Sequence, residues 1–141
     1  DLGYPPLEVE QSLAVNRTSQ DPVETIGTII SLETLNQLRA AVDHVKIENS
    51  VSQYLLQIVT ATRRHANIRL GVSTRGTLLY ARIARAHALL NWRDYVVPED
   101  VKRLAIPVLS HRILLNNKAQ YSGSASSHIL EEILASVPVP R

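Results

Sequence analysis

Between Ser50 and Arg64, the residues Val51, Tyr54, Leu55, Ile58, Val59 and Thr62 recur at i, i+3, i+4, i+7, i+8 and i+11. That spacing places them on one face of an α-helix. A strand would need alternation of period two, so this segment is expected to be helical, with its striped face covered by the rest of the chain. What can cover it is restricted. The sequence holds no Phe, no Met and no Cys, so the cover is mainly aliphatic, with neither a disulfide nor a thiolate metal site to staple it. At 141 residues the expectation is one domain, residues 1–141.

The remaining local signals are also mostly helical. Pro6 suits the first turn of a helix from Leu7 to about Val15. The polar stretch from Asn16 to Ser31, with Pro22 and Gly27, reads as a long connection. Ser31 can cap a helix that runs to about Asp43, and Val45-Lys46-Ile47 and Ile68-Arg69-Leu70 read as short strands. Gly71 permits a sharp turn before Ser73 caps a helix from Thr74 to about Leu90. Within that helix Leu78, Leu79, Ile83, Ala86, Leu89 and Leu90 fill one broad arc, with Ala81, Ala84 and Ala88 elsewhere, so it can be packed on several sides. Pro98 opens another helix with Glu99 and Asp100 in the first turn, where the macrodipole favours acids. Its apolar spacing continues through Pro107, where a kink is expected, as far as Ile113. Tyr121 to Ser127 reads as a Ser/Gly loop, and Ile129, Leu130, Ile133 and Leu134 mark a last helix. The fold class is mostly α, five or six helices with a few short strands. The longest uncharged apolar run, Leu104 to Leu109, is far below the roughly 20 residues of a membrane span. No signal peptide can be read, so a cytoplasmic location without a membrane partner is expected.

Net charge is only +2, but its distribution is uneven. Residues 1 to 48 carry eight acids against three bases, whereas from Asn49 to Arg93 there is no acid at all. Seven arginines and no lysine stand in that stretch: Arg63, Arg64, Arg69, Arg75, Arg82, Arg85 and Arg93. Arg presents a planar fork matched to carboxylate and phosphate, so the stretch either pairs with the acids of the first third or faces an external anion.

Gly71-Val72-Ser73-Thr74-Arg75-Gly76-Thr77 shares the Gly, four residues, Gly spacing of a phosphate loop, but Thr77 stands where the lysine must be. It also fails the nucleophile elbow, because the second Gly comes one residue late. What remains is a helix N-terminus with an arginine in its first turn. The macrodipole disfavours a cation there by roughly 0.3–1 kcal/mol, while the free amides favour an anion. Arg75 is therefore a candidate anion contact, set against an arginine that swings into solvent or pairs with an acid of the first third. Arg82 and Arg85 overlap with it on the same helix and offer a ridge for phosphates, or ion pairs within the domain. The five histidines share no metal-ligand spacing with a carboxylate, so no metal site is expected. No Ser/His/Asp or paired-carboxylate constellation can be assigned, Asp94 to Asp100 being accounted for by turn and helix-start roles.

A helix ending in Ala61-Thr62-Arg63, followed by Leu70-Gly71-Val72-Ser73-Thr74-Arg75-Gly76, resembles the C-terminal small domain of MoxR-type AAA+ ATPases. Gly3-Tyr4-Pro5, Arg93-Asp94-Tyr95-Val96 with Pro98-Glu99-Asp100-Val101, Pro107-Val108-Leu109 with His111-Arg112, and the closing Val137-Pro138-Val139-Pro140 agree in order and spacing. The resemblance covers nearly the whole chain. It implies a helical AAA+ lid domain in which Arg75 is the second sensor arginine, meeting the γ-phosphate of ATP from a Gly-x-Ser-Pro-Arg-Ala motif. Here the family's usual Pro and Ala are Thr74 and Gly76. Ser73 belongs to the same motif, and Tyr4 and Pro5 are implied to line the nucleotide pocket where the chain leaves the nucleotide-binding core.

The phosphate loop, the Mg²⁺-binding acids and the arginine finger of such proteins are absent from this sequence. A chain that opens on Asp1 and holds no Met is accordingly expected to be a piece cut just after an ATPase core, catalytically inactive alone. The implied partners are that N-terminal core, further copies in a homo-oligomer, client proteins and von Willebrand factor A domain proteins, with chaperone-like action. Two other readings compete: a helical nucleic-acid-binding module using residues 49–93, and a helical protein-interaction domain without a nucleotide role. Of the five tyrosines only Tyr54 and Tyr80 lie in the arginine stretch, thin support for stacking on single strands.

Overall fold

The computed structural model describes residues 3–16, 23 and 26–140. The chain divides into two units, Asp1–Leu35 and Asn36–Arg141. The first contains α1 (Leu7–Asn16), and the start of α2 (Leu32–His44), where the Thr34 amide donates to Ser31 Oγ at 3.0 Å as expected of an N-cap. Much of the connection expected between Asn16 and Ser31 lies outside the described residues.

The second unit holds α3 (Asn49–Arg64), β1 (Ile68–Leu70), α4 (Thr74–Leu90), α5 (Pro98–Leu109), a 3-10 turn (Ser110–Arg112), β2 (Leu114–Leu115), α6 (Asn117–Tyr121) and α7 (Ser126–Ser136). Helices α3, α4, α5 and α7 pack together around one apolar core. The buried residues of α3 are the six of its sequence stripe. Among the described residues no helix is long and apolar enough to cross a membrane.

α4 departs from its sequence pattern. The residues it buries are Gly76, Tyr80, Ala84 and Ala88, a row at i, i+4 spacing, whereas Leu78 and Leu90 are 68% and 80% exposed. Small side chains let the backbone of α4 approach α5 closely, and Tyr80 reaches across to donate its hydroxyl to the Val101 carbonyl. Helix–helix distance thus decides which face is buried, and leucine density does not. α5 runs through Pro107 but ends at Leu109, and Ile113 is extended rather than helical. The strand expected at Val45–Ile47 is a single parallel bridge between Lys46 and Tyr95. β2 and α6 have no counterpart in the sequence reading. β1 and β2 pair antiparallel, Ile68 opposite Leu115 and Leu70 opposite Leu114, and Asn116 caps α6 by accepting from the Ala119 amide at 2.9 Å.

The end of α4 is a Schellman turn. The Trp92 amide donates to the Leu89 carbonyl at 2.9 Å and the Arg93 amide to that of Ala88 at 3.0 Å. Trp92 takes the left-handed position, φ 58°, with its indole 97% exposed. The turn delivers Arg93 to Asp100, and two 2.7 Å bonds from Nη1 and Nη2 grip Oδ2 and Oδ1. His87 Nδ1 lies 2.9 Å from Oδ1, and the Val97 amide donates to Oδ2 at 3.0 Å. Burial of Asp100 pushes its pKa up, but Arg93, the Val97 amide and His87 more than offset this and hold it below 3.8.

Two expectations follow. Trp92→Gly removes a left-handed non-glycine residue without losing packing, so it should raise unfolding free energy by about 0.5–1 kcal/mol in urea titrations. Asp100→Asn should cost about 2–3 kcal/mol at pH 7. Because the folded pKa of Asp100 is depressed, its contribution is complete above 3.8 and fades as pH falls through the folded value. The gap between parent and variant should therefore narrow at pH 3, and a gap unchanged with pH would contradict this account.

Candidate functional site

The loop between β1 and α4 is held from one side by the last turn of α3. Thr62, fully buried, donates its hydroxyl to the Val59 carbonyl at 2.6 Å and accepts from the Val72 amide at 3.1 Å. Arg63 Nε donates to the Val72 carbonyl at 2.8 Å, and its Nη2 lies 3.4 Å from Thr77 Oγ1. Both backbone polar groups of Val72 are thus taken by adjacent residues of one helix. Gly71 is required by contact and not by a left-handed φ: a Cβ there would sit 2.7 Å from the Cα and N of Arg63. The sharp turn expected from its conformational freedom is in fact a close approach of two backbones.

Next comes the cap. Ser73 Oγ accepts from the Gly76 amide at 3.2 Å and the Ser73 carbonyl from the Thr77 amide at 2.9 Å. Helix geometry leaves the amides of Thr74 and Arg75 without intrahelical acceptors. Arg75 follows in the first turn of α4, exposed, with no hydrogen bond or ion pair among the described residues. Gly76 is buried, and a Cβ there would meet Val72 Cγ1 at 2.8 Å. The departure from the family's Ala therefore has a packing counterpart: the γ-methyl of Val72 fills that space.

The arginine stretch has divided roles. Among the described residues, Arg93 is the one arginine of the stretch with a carboxylate partner. Arg63 braces the loop, and Arg85 leaves the row it shares with Arg75 and Arg82 to donate Nε to the Val45 carbonyl at 3.1 Å. Arg64, Arg69, Arg75 and Arg82 are exposed and make no hydrogen bond or ion pair among the described residues. Of the other sequence-derived site residues, Ser73 shares the first turn with Arg75, while Tyr4 and Pro5 belong to the first unit, where both are exposed and Tyr4 is 96% so. Sequence reasoning missed the roles of Thr62 and Arg63. Their signal was a hydroxyl in the last slot of an otherwise apolar stripe.

A model of the AAA lid domain matches residues 60–133, more than half of the chain. The chain belongs to the AAA lid domain family. This lid domain is 36% identical over 139 residues to the uncharacterised protein YeaC of Bacillus subtilis, covering 99% of this chain and 43% of that protein. It is 27% identical over 150 residues to the chaperone MoxR1 of Mycobacterium tuberculosis, covering 100% and 39% respectively. A crystal structure of a protein assigned as an ATPase, from Cytophaga hutchinsonii, matches it with TM-score 0.82 at 32% identity, over 99% of this chain and 45% of that one. The lid domain is thus homologous to MoxR ATPases, and it spans less than half the length of these relatives.

The contact at Gly71 gives a direct test of how this loop is held. Gly71→Ala should cost about 2–3 kcal/mol in chemical denaturation, since the added methyl meets backbone that cannot rotate away. The exchange of the Val72 amide with solvent should accelerate in the same variant.

Proposed function

We propose that residues 1–141 form the C-terminal nucleotide-sensing lid of a MoxR-type AAA+ ATPase, in which Arg75 meets the γ-phosphate of ATP held by an N-terminal nucleotide-binding domain. The observation that carries this reading is an exposed cation, without a partner among the described residues, in the electropositive first turn of α4, directly after a loop that Thr62, Arg63 and Gly71 hold in place. Such an arginine lowers the energy of α4 when an anion is near and raises it otherwise. Its chemistry fits a phosphoryl group, and the membership of the lid family supports the assignment.

Arg75 adds positive charge beside the transferring phosphoryl group, the contribution arginines make in phosphoryl transfer. Ser73 fixes the start of the helix from which Arg75 projects, and Tyr4 and Pro5 line the nucleotide pocket. Mg²⁺ is bound by acids of the nucleotide-binding domain and not by this chain. MoxR relatives support a homo-oligomer, and the name of the Mycobacterium tuberculosis relative supports chaperone-like action on client proteins. Von Willebrand factor A domain proteins are the further partners in this reading, and the ATPase acts in the cytoplasm.

The test joins this chain to its nucleotide-binding domain. Arg75→Ala should lower kcat for ATP hydrolysis about a hundredfold, with Arg75→Lys recovering part of it, while the 141-residue chain alone turns over no ATP. Unchanged turnover in the alanine variant would defeat the sensor role.

A further inference from the structure

Beside the first turn of α4 lies a cleft of about 570 Å³ whose lining includes Arg63, Arg69, Arg112 and the loop from Gly71 to Thr74, and no acidic residue. Arg63 has already given Nε to the loop and Nη2 to Thr77 of α4. Arg69 is exposed and unpartnered among the described residues. Arg112 comes from the 3-10 turn after α5, and its stem passes alongside α4, where Cδ would be 3.8 Å from a Cβ on Gly76. The Nε of Arg112 is shielded from solvent and has no hydrogen-bond partner. A guanidinium keeps its charge whatever its surroundings, so this is a cation with one donor stripped of water and nothing in exchange.

We propose that this cleft is an anion site in its own right, separate from Arg75, and that it takes a multiply charged oxyanion of the diphosphate class. The charge count selects the class. Three guanidinium groups on the walls exceed what one carboxylate neutralises, whereas a diphosphate carries enough charge and offers the acceptor oxygens that arginine forks match. Thr74 is also part of the lining, and its amide, without an intrahelical acceptor by its place in the helix, is a further donor. Arg75 does not line the cleft, so the proposal stands or falls independently of the sensor reading.

Titration of the 141-residue chain with inorganic pyrophosphate at fixed ionic strength, followed by heteronuclear NMR, tests it. Saturable shifts are expected at the amides of Gly71, Ser73 and Thr74. Arg112→Gln should weaken binding about tenfold, Arg69→Gln several-fold, and Arg75→Gln less than twofold. Shifts that do not saturate, that chloride reproduces, or that persist unchanged in Arg112→Gln and Arg69→Gln would overturn the site. Should Arg112→Gln fail to fold, Arg69→Gln carries the test, because that side chain has no structural partner to lose.

Discussion

Thr62 and Arg63 close on the two backbone groups of Val72, and the rest of the candidate site depends on that grip. A loop running from a three-residue strand into a helix has few constraints of its own. Here the helix before it supplies them, by offering one hydroxyl and one guanidinium to a single peptide unit and by leaving no room for a side chain at Gly71. The start of α4 is in this way referenced to the end of α3, and the direction in which Arg75 leaves the surface is set by the packing of two helices.

Asp100 plays the matching part at the other end of α4. Four donors from Arg93, His87 and Val97 converge on one buried carboxylate, tying the end of α4 to the start of α5. Breaking such an arrangement leaves charge without compensation, which is why the cost exceeds that of a surface pair. With the row of Gly76, Tyr80, Ala84 and Ala88 between, α4 is fastened to different neighbours at its two ends and packs against α5 in the middle.

The parts of this fold that were legible in the sequence are those where one helix carries its own evidence. α3 was legible because its stripe and its buried face coincide, and the starts of α2 and α4 because Ser31 and Ser73 act within three residues of themselves. α4's buried face was legible only in part: Ala84 and Ala88 marked a second packing side, but Leu78 and Leu90 look like core residues until the closeness of α5 is known. β2 escaped because its support is remote, pairing with β1 and followed by an Asn116 side chain that donates to the Ala66 carbonyl at 2.7 Å; α6 has a local cap in Asn116 but, at five residues, is too short for an apolar period to show. At the site, Arg75 stood out through its place in a first turn. Arg112 did not, because its relation to that turn exists only through the stem that passes Gly76.

Trp92 is the single tryptophan of the chain, and it stands just past the end of α4 opposite to Arg75. The 17 residues between Thr74 and Leu90 span about 25 Å, so the indole samples a place well removed from any phosphate held at the first turn. With its ring almost wholly in water, its emission starts near the red limit for indole. Any partner surface that closes over this corner shifts that emission to the blue, while an anion at the far end leaves it alone. The molecule carries its own optical reporter, able to separate events at this corner from events at the start of α4 without a label.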